Sequence, residues 1–484
     1  MLAVLATAAL ALRLGLASRP PFDFAVMRQH HSALIAENVF YSSHPAAAPE
    51  WRRRAAADYV AQATIPEPIV TERLAALIYT IAGREDLRLP RMLLGLLWVL
   101  GGLLLYAALK QWSSAPAAAV AFVVYSFLPY SFRASIGLLP DGLAVPLMCA
   151  AVYGLARLGP VLTTQRVVLA ALPAAAAILV RPMTAFFLLP SALTLLWQMR
   201  RDGFPMRAVA LYGVVAILPF VAYFTWRIGA DPTYVARLST TFAPSLLLDV
   251  SFYRGWARYV WMAFGPVIFI ASVAGAVVAP AGPMRLVLRA MWPGYVVYGV
   301  LFNLHISTHP YYQTIAVPLV ACSAGAFAAW LAGLSARLGA WLAPMLAAGL
   351  MGAALAQGTF VPPLTSSRIA DYQSIGGAVD HSSQVIFLSE DWGTPLRYHG
   401  GLAGRYWPTR FEIQMYLPLG ASSLTNTDAQ SRWQVLSSAV GGARYFVVTD
   451  LGELSRQPDL QQLLTTRFNL RTSTDRYRVY EVRR

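Results

Sequence analysis

The chain has 484 residues, 57% of them hydrophobic and only 13% charged, with a formal net charge of +15 and a mean hydropathy of +0.52. Soluble domains carry about 25% charged residues, so half that share excludes an ordinary soluble enzyme and points to a membrane protein. The positive charge is almost wholly arginine, with Lys110 the one lysine. No basic patch interleaved with aromatics marks a nucleic-acid face, so nucleic acid is not an expected partner.

The opening segment MLAVLATAALALRLGLAS reads as a first membrane helix rather than a cleaved signal. It lacks a basic leading region and carries Arg13 inside its apolar run. A span needs about 20 mainly apolar residues. On that measure, segments near 1–18, 91–112, 115–132, 141–158, 166–180, 183–199, 207–227, 257–279, 286–304, 311–333 and 339–357 predict about eleven transmembrane helices. Lys110, Arg200, Arg201, Arg207, Arg285, Arg289 and Arg337 then share one side. By the positive-inside rule this places the N-terminus in the cytoplasm. Of the twelve Asp and Glu residues before position 360, only Asp202 falls on an inner loop, so the acids gather at the outer face. Cys149 and Cys322 lie within apolar segments, which excludes a disulfide framework.

Two stretches are not membrane-like. The first outer loop, 19–90, predicts two interfacial helices near 24–40 and 68–82, joined by the basic linker PEWRRRAAADY. After QGTFVPPL the composition becomes that of a small globular domain. SQVIFLSED, ARYFVVTDL and YRVYEVRR read as strands, and DLQQLLTTRF and RWQVLSSAV as helices. The expected organisation is a polytopic α-helical membrane module over 1–357, with the first loop 19–90 in it, and a small α/β domain on the outer side over 358–484.

Polar residues are scarce enough for their placement to be informative. Arg181, in LVRPM, interrupts an apolar run where charge is costly, so it is a functional candidate, with snorkelling to headgroups the competing reading. Asp141, in LPDG, begins a helix at the outer face and either caps it or serves a site there. His305, His309, Tyr311 and Tyr312 cluster at an outer helix end, where an aromatic belt is the plain reading. Glu67 and Glu72 fall on the second interfacial helix, where a solvated salt bridge is the default, although Glu67 is placed to reach a cavity. Glu37 lies about 21 Å along a helix from Asp23 and is expected to pair with an arginine. Adjacent His30 and His31 point about 100° apart on a helix, so a metal would also need His44 or a carboxylate. No cofactor is required by this reading, and a divalent metal is the lesser alternative.

Four segments carry a family resemblance: FDFAVMRQHHSALIAENVF after the first span, LLPDGLAVPLMCAAVYGLARL, ILVRPMTAFFLLP, and HISTHPYYQTIAVPLVACSAG. In this order and on this side, the chain resembles the glycosyltransferase C (GT-C) superfamily, and within it the bacterial relatives of protein O-mannosyltransferases and of the lipid A aminoarabinose transferase. The resemblance covers about residues 1–357. It implies a GT-C fold and an enzyme of the bacterial inner membrane that takes a sugar from a polyprenyl-phosphate donor. The acceptor would be an envelope lipid, polysaccharide or protein at the periplasmic face.

It further implies Asp23 as catalytic base, with N-capping of a helix starting at Phe24 as the alternative. Arg28, Gln29, Arg181, His309 and Tyr311 would hold donor phosphate or sugar, with His309 favoured over His305. Asp141, Glu67 and Tyr312 would serve the acceptor or support the site. The mannosyltransferases carry an Asp-Glu pair where this chain has Asp23 followed by Phe24. One-step displacement from the donor predicts inversion at the anomeric carbon. Trp392, Tyr398 and Trp407 in the C-terminal domain are candidates for sugar stacking, with a core role an equal alternative. A lipid-linked sugar flippase would show inverted repeats, and a polysaccharide polymerase or ligase would place its working loop late in the chain. Here the polar loop comes first.

Overall fold

A computed structural model of the chain describes all residues except 66, 159–162, 202–205, 232–234, 236–241, 362–365, 417–427 and 484. Asp202 therefore lies outside the described residues. The chain divides into two compact units: a helical unit of Met1–Arg19, Ile65–Thr71 and Arg88–Val361, and a mixed unit of Pro20–Thr64, Glu72–Leu87 and Pro362–Arg484.

In the helical unit, each of the eleven expected segments falls on helix. Among the described residues, four helices are long and apolar enough to cross a membrane: Arg88–Trp112, Met206–Ala230, Pro310–Leu334 and Gly339–Ala356. Counting each of two bent pairs as one span makes six. The bent pairs depart from the straight spans expected at 115–132 and 257–279. Ala115–Phe127 meets Pro129–Ile136 at 63°, and Val250–Phe264 meets Pro266–Val278 at 97°. Both breaks fall at a proline, which lacks the N–H needed to continue the helical ladder. At the second, Gly265 also takes φ +68°, a conformation that costs glycine little.

The unit packs by close backbone approach and by satisfying its buried charges. A Cβ on Gly101 would sit 2.8 Å from the Cα of Pro146, so Arg88–Trp112 and Pro140–Ala156 meet where only glycine fits. Arg13, fully buried on helix α1 (Leu2–Ala17), donates to Ser135 Oγ at 2.9 Å, Ser126 O at 2.8 Å and Ala9 O at 3.0 Å. Its guanidinium also lies over the Phe132 ring. These contacts offset a desolvation cost that an unpartnered arginine in this position would carry in full.

The mixed unit takes in most of the first loop. Helices α2 (Val26–Ser43) and α3 (Glu50–Gln62) are followed by α4 (Val70–Ala82), which enters the unit from Glu72. The expected linker is thus itself a helix. EWRRRAAADYVAQ has no internal Gly or Pro and is rich in alanine and arginine, both strong helix formers. Nor does α2 behave as a purely interfacial helix, because Gln29 to Glu37 are all buried.

The sheet has five strands in the order β2-β1-β3-β5-β4. They are β1 (Val385–Leu388), β2 (Arg405–Tyr406), β3 (Tyr445–Val448), β4 (Phe468–Ser473) and β5 (Arg478–Val482). β1 runs parallel to β2 and β3, while β5 is antiparallel to β3 and β4. Side chains alternate between two cores. Val385, Phe387, Tyr445 and Val447 face Tyr372, Ile375 and Leu396, whereas Ile386, Leu388, Phe446 and Val448 face Trp407, Trp433 and Leu460. With both faces covered, β1 and β3 read as unbroken apolar runs.

The first loop, expected to belong with 1–357, is stitched to the C-terminal residues. Arg397 donates to Asp58 Oδ2 at 3.2 Å and Gln62 Oε1 at 3.0 Å, and Gly404 N–H donates to Asp58 at 2.9 Å. Trp51 stacks on His381 with ring centroids 3.7 Å apart. Arg397, the buried charge here, thus has partners from a distant part of the chain, as low-dielectric packing requires.

Candidate functional site

In the helical unit the site is built around Arg181. Pro182 forces the residue before it out of the helical region. Accordingly Thr164–Val180 ends with Arg181 in extended conformation, φ −143° and ψ 94°. The side chain does not snorkel to the surface, being 1% exposed. Its Nη1 is ion-paired with Glu67, and its Nε lies 3.2 Å from Asp141 Oδ1. The guanidinium carbon sits 5.2 Å from the centroid of the Tyr312 ring, a cation–π distance.

Asp141 is 2% exposed and lies in the first turn of Pro140–Ala156, whose N-cap is Leu139 without a side-chain cap bond. The capping reading of Asp141 therefore falls away, and its carboxylate is turned to Arg181 instead. Glu67 is not on the second loop helix, as expected, but in the bend before Val70.

Tyr312 belongs to the 3-10 segment Pro310–Ala316, which two buried tyrosines pin in place. Tyr298 Oη donates to Tyr312 O at 3.0 Å, and Tyr130 Oη lies 2.8 Å from both Pro310 O and Thr314 Oγ1. His305 stacks on Tyr312 with ring centroids 5.1 Å apart. His309 stands edge-on to Tyr311 at 5.5 Å, and its Nδ1 lies 2.8 Å from Thr308 Oγ1. Glu67, Asp141, Arg181, His305, His309, Tyr311 and Tyr312 thus form one cluster. Tyr298 and Tyr130 escaped the sequence reading. Their signal is a tyrosine inside an apolar run, which needs a hydrogen-bond partner when buried.

One feature of the cluster points to a ligand. Arg181 Nη2 is buried and has no hydrogen-bond partner among the described residues. An unmade bond on a buried charged donor is costly, and an oxyanion arriving at the guanidinium edge would satisfy it. Because Glu67 already occupies Nη1, a bidentate anion must compete with that carboxylate.

Asp23, Arg28 and Gln29 lie in the mixed unit. Asp23 does not cap α2: the N-cap is Ala25, in the left-handed region at φ 43°, and the helix starts at Val26, not Phe24. Gln29 Nε2 donates to Phe24 O at 2.5 Å, folding the bend that carries Asp23 back onto the first turn. Arg28 acts electrostatically on His31, Tyr59 and Glu72.

His30 and His31 diverge as the helical geometry requires. His30 Nε2 lies 3.1 Å from His399 Nε2, while His31 Nδ1 meets the Tyr59 hydroxyl. Burial, reinforced by Arg28, lowers the His31 pKa to about 3. Glu72 is not solvated: it is 4% exposed, accepts from Ser32 Oγ at 2.6 Å, and burial raises its pKa. Glu37 pairs with Arg52 at 2.5 Å, as expected of a buried acid. Arg52 is shared with Glu85 at 3.2 Å, and burial pushes the Glu37 pKa up to about 8 against the pull of Arg52.

Of the three candidate stacking aromatics, two are structural. Trp407 is fully buried with its Nε1 on Gln457 Oε1, and Tyr398 is buried with its hydroxyl on Glu85. Trp392 is 50% exposed.

The helical unit with its Arg181 cluster and the loop-bearing mixed unit describe a polytopic membrane protein, and comparison with solved structures shows that it shares the glycosyltransferase C fold. Residues 66–226 match the family model described as dolichyl-phosphate-mannose-protein mannosyltransferase. The structure aligns with apo ArnT from Cupriavidus metallidurans at TM-score 0.63 and 16% identity, covering 99% of this chain and 97% of that one. It also aligns with the Archaeoglobus fulgidus oligosaccharyltransferase: with its Zn and sulfate complex at TM-score 0.53 and 12% identity, over 93% of this chain and 68% of that one, and with its apo form at 0.54 and 12%, over 91% and 69%. A sequence search of curated proteins finds no match.

Proposed function

We propose that the chain is a membrane glycosyltransferase that moves a sugar from a polyprenyl-phosphate donor to a lipid, polysaccharide or protein acceptor at the periplasmic face of the bacterial inner membrane. The observation that carries this reading is Arg181, buried between Asp141 and Glu67 beneath Tyr312 with one guanidinium nitrogen left to bind. The matching family's description names a dolichyl-phosphate sugar donor, and a dolichyl phosphate is a polyprenyl-type phosphate whose tail stays in the bilayer.

The chemistry fits these residue types. The leaving group departs as a phosphate, already stable as an anion, so no strong general acid is needed. What lowers the barrier is a cation on the phosphate and a base on the acceptor hydroxyl. Arg181 takes the first role, with Tyr312 and Asp141 fixing its orientation and His309 and Tyr311 beside it. Asp23 takes the second, with Arg28 and Gln29 binding donor sugar or phosphate. Direct displacement inverts the anomeric carbon, and no cofactor is invoked. The N-terminus lies in the cytoplasm and the C-terminal domain in the periplasm.

Mass spectrometry of envelope glycolipids and glycoproteins tests this in a gene deletion restored with wild type or with Asp23→Asn at equal expression. The reading expects one glycan mass to disappear in the deletion and in Asp23→Asn and to return with wild type. Equal restoration by Asp23→Asn removes the base assignment, and an unchanged glycan profile removes the transferase.

A further inference from the structure

The C-terminal sheet of the mixed unit carries a second candidate site, built from other residues than the Arg181 cluster. β1 is flanked by parallel β2 and β3, so the chain leaves β1 toward one side for β2 and then returns past it to β3. In open α/β sheets the crevice beyond the carboxyl ends at such a reversal is the place where ligands bind. Here that crevice is a cavity of about 290 Å³, reached by Glu390 after β1 and Thr449 after β3. A volume near the lower end of ligand pockets suits one small ring rather than a lipid tail.

Its chemistry is two-sided. The floor is Tyr372, Ile375 and Tyr477, all buried. The rim is planar and polar. Arg476 grips Asp371 through Nε and Nη2 at 2.6 and 3.0 Å, and Arg368 pairs with Glu390. Ion-paired guanidinium and carboxylate groups at a rim present donors and acceptors side by side, which matches adjacent hydroxyls. An apolar aromatic floor matches the C–H face of a pyranose. The lining holds three carboxylates against two arginines, a balance that disfavours a phosphate.

The backbone beside the cavity is strained. Asp391 at φ 53°, Trp392 at φ 56° and Gly393 at φ 68° follow Glu390 in consecutive left-handed conformations, two of them without the freedom of glycine. Such strain persists only where the surroundings hold it, and it gathers at binding sites. It leaves Trp392 half-exposed next to the rim.

We propose that this cavity binds a neutral sugar unit of the acceptor, an assignment that rests on the transferase reading for the word acceptor but not for the binding itself. Full-length protein in nanodiscs is titrated with methyl glycosides of glucose, galactose, mannose and N-acetylglucosamine, read by saturation-transfer NMR and tryptophan fluorescence. At least one is expected to bind at millimolar strength. Affinity should fall about tenfold in Glu390→Gln and in Arg476→Ala, each removing one charge-assisted contact. Both pocket residues are half-exposed, so thermal unfolding should stay near wild type. Failure of every glycoside to bind, or wild-type affinity in both pocket variants, overturns the proposal. Glycoside binding by a wild-type protein that transfers no sugar removes the transferase reading and leaves the pocket. Transfer with an unchanged acceptor KM in both pocket variants removes the pocket's assignment to the acceptor and leaves the transferase.

Discussion

Arg181 separates a structural role from a functional one through a double-mutant cycle with Glu67. Arg181→Gln strips the cation from two carboxylates, Asp141 at 2% and Glu67 at 13% side-chain exposure. Breaking a buried pair in this way costs about 3–5 kcal/mol of stability. Adding Glu67→Gln neutralises one orphan acid and should return about 1–3 kcal/mol of it. Activity behaves differently. Nη2, the donor left free among the described residues, is worth about 2.7–4 kcal/mol on a developing oxyanion, so kcat/KM falls about 10²- to 10³-fold in Arg181→Gln. Glu67→Gln cannot restore a guanidinium, so the double variant should regain stability and stay inactive. Thermal unfolding and steady-state transfer assays on the same preparations read the two quantities. If activity returns together with stability, Arg181 only holds the helices and the phosphate assignment is wrong.

Glu67→Gln alone frees Nη1 for an incoming anion, so donor KM should drop; an unchanged or higher KM would mean that Glu67 does not compete with donor. Tyr312→Leu removes a cation–π contact worth about 0.5–2 kcal/mol and should raise donor KM by up to about thirtyfold. Tyr298→Phe, which loosens Tyr312 only through its carbonyl, should cost less, and the reverse order would refute the packing argument. His31 has a folded pKa of about 3 against an ordinary 6.5, so the unfolded chain binds the extra proton between those values. Its contribution to stability is complete above pH 6.5 and falls by at most about 1.4 kcal/mol per pH unit as pH drops toward 3. Hydrogen exchange of α2 should lose protection on that limb, and His31→Gln should flatten it.

Where a rule is strict, the sequence is easy to read. A charge inside an apolar run must be partnered, which singled out Arg181 and Asp141, and a tyrosine-histidine cluster at a helix end singled out Tyr312. These lie together although Asp141, Arg181 and Tyr312 are far apart in the chain. The bends at Pro129 and at Gly265-Pro266 were visible as residues but not as angles, since packing decides whether a proline kinks a span or breaks it. Pairing of the first loop with the C-terminal residues was not legible. Asp58 and Arg397 are 339 positions apart, and neither bears a local mark of the other. The two-residue β2 is too short for any periodicity, and β4 is mostly exposed. For Trp407 and Tyr398 the sequence leaves sugar stacking and a core role both open, because an aromatic's composition does not distinguish core from surface, and burial decides for the core.

The most direct test of the central claim uses purified protein in nanodiscs containing polyprenyl-phosphate-linked sugar and acceptor extracted from the host's membranes, with release of free polyprenyl phosphate as the readout. Wild type should release it in step with acceptor glycosylation, while Asp23→Asn and Arg181→Gln, both folded, release it at least 100-fold more slowly, in line with the loss of a general base or of an oxyanion partner. Movement of the intact lipid-linked sugar across the bilayer, with no polyprenyl phosphate released, would contradict the account and identify a transporter instead.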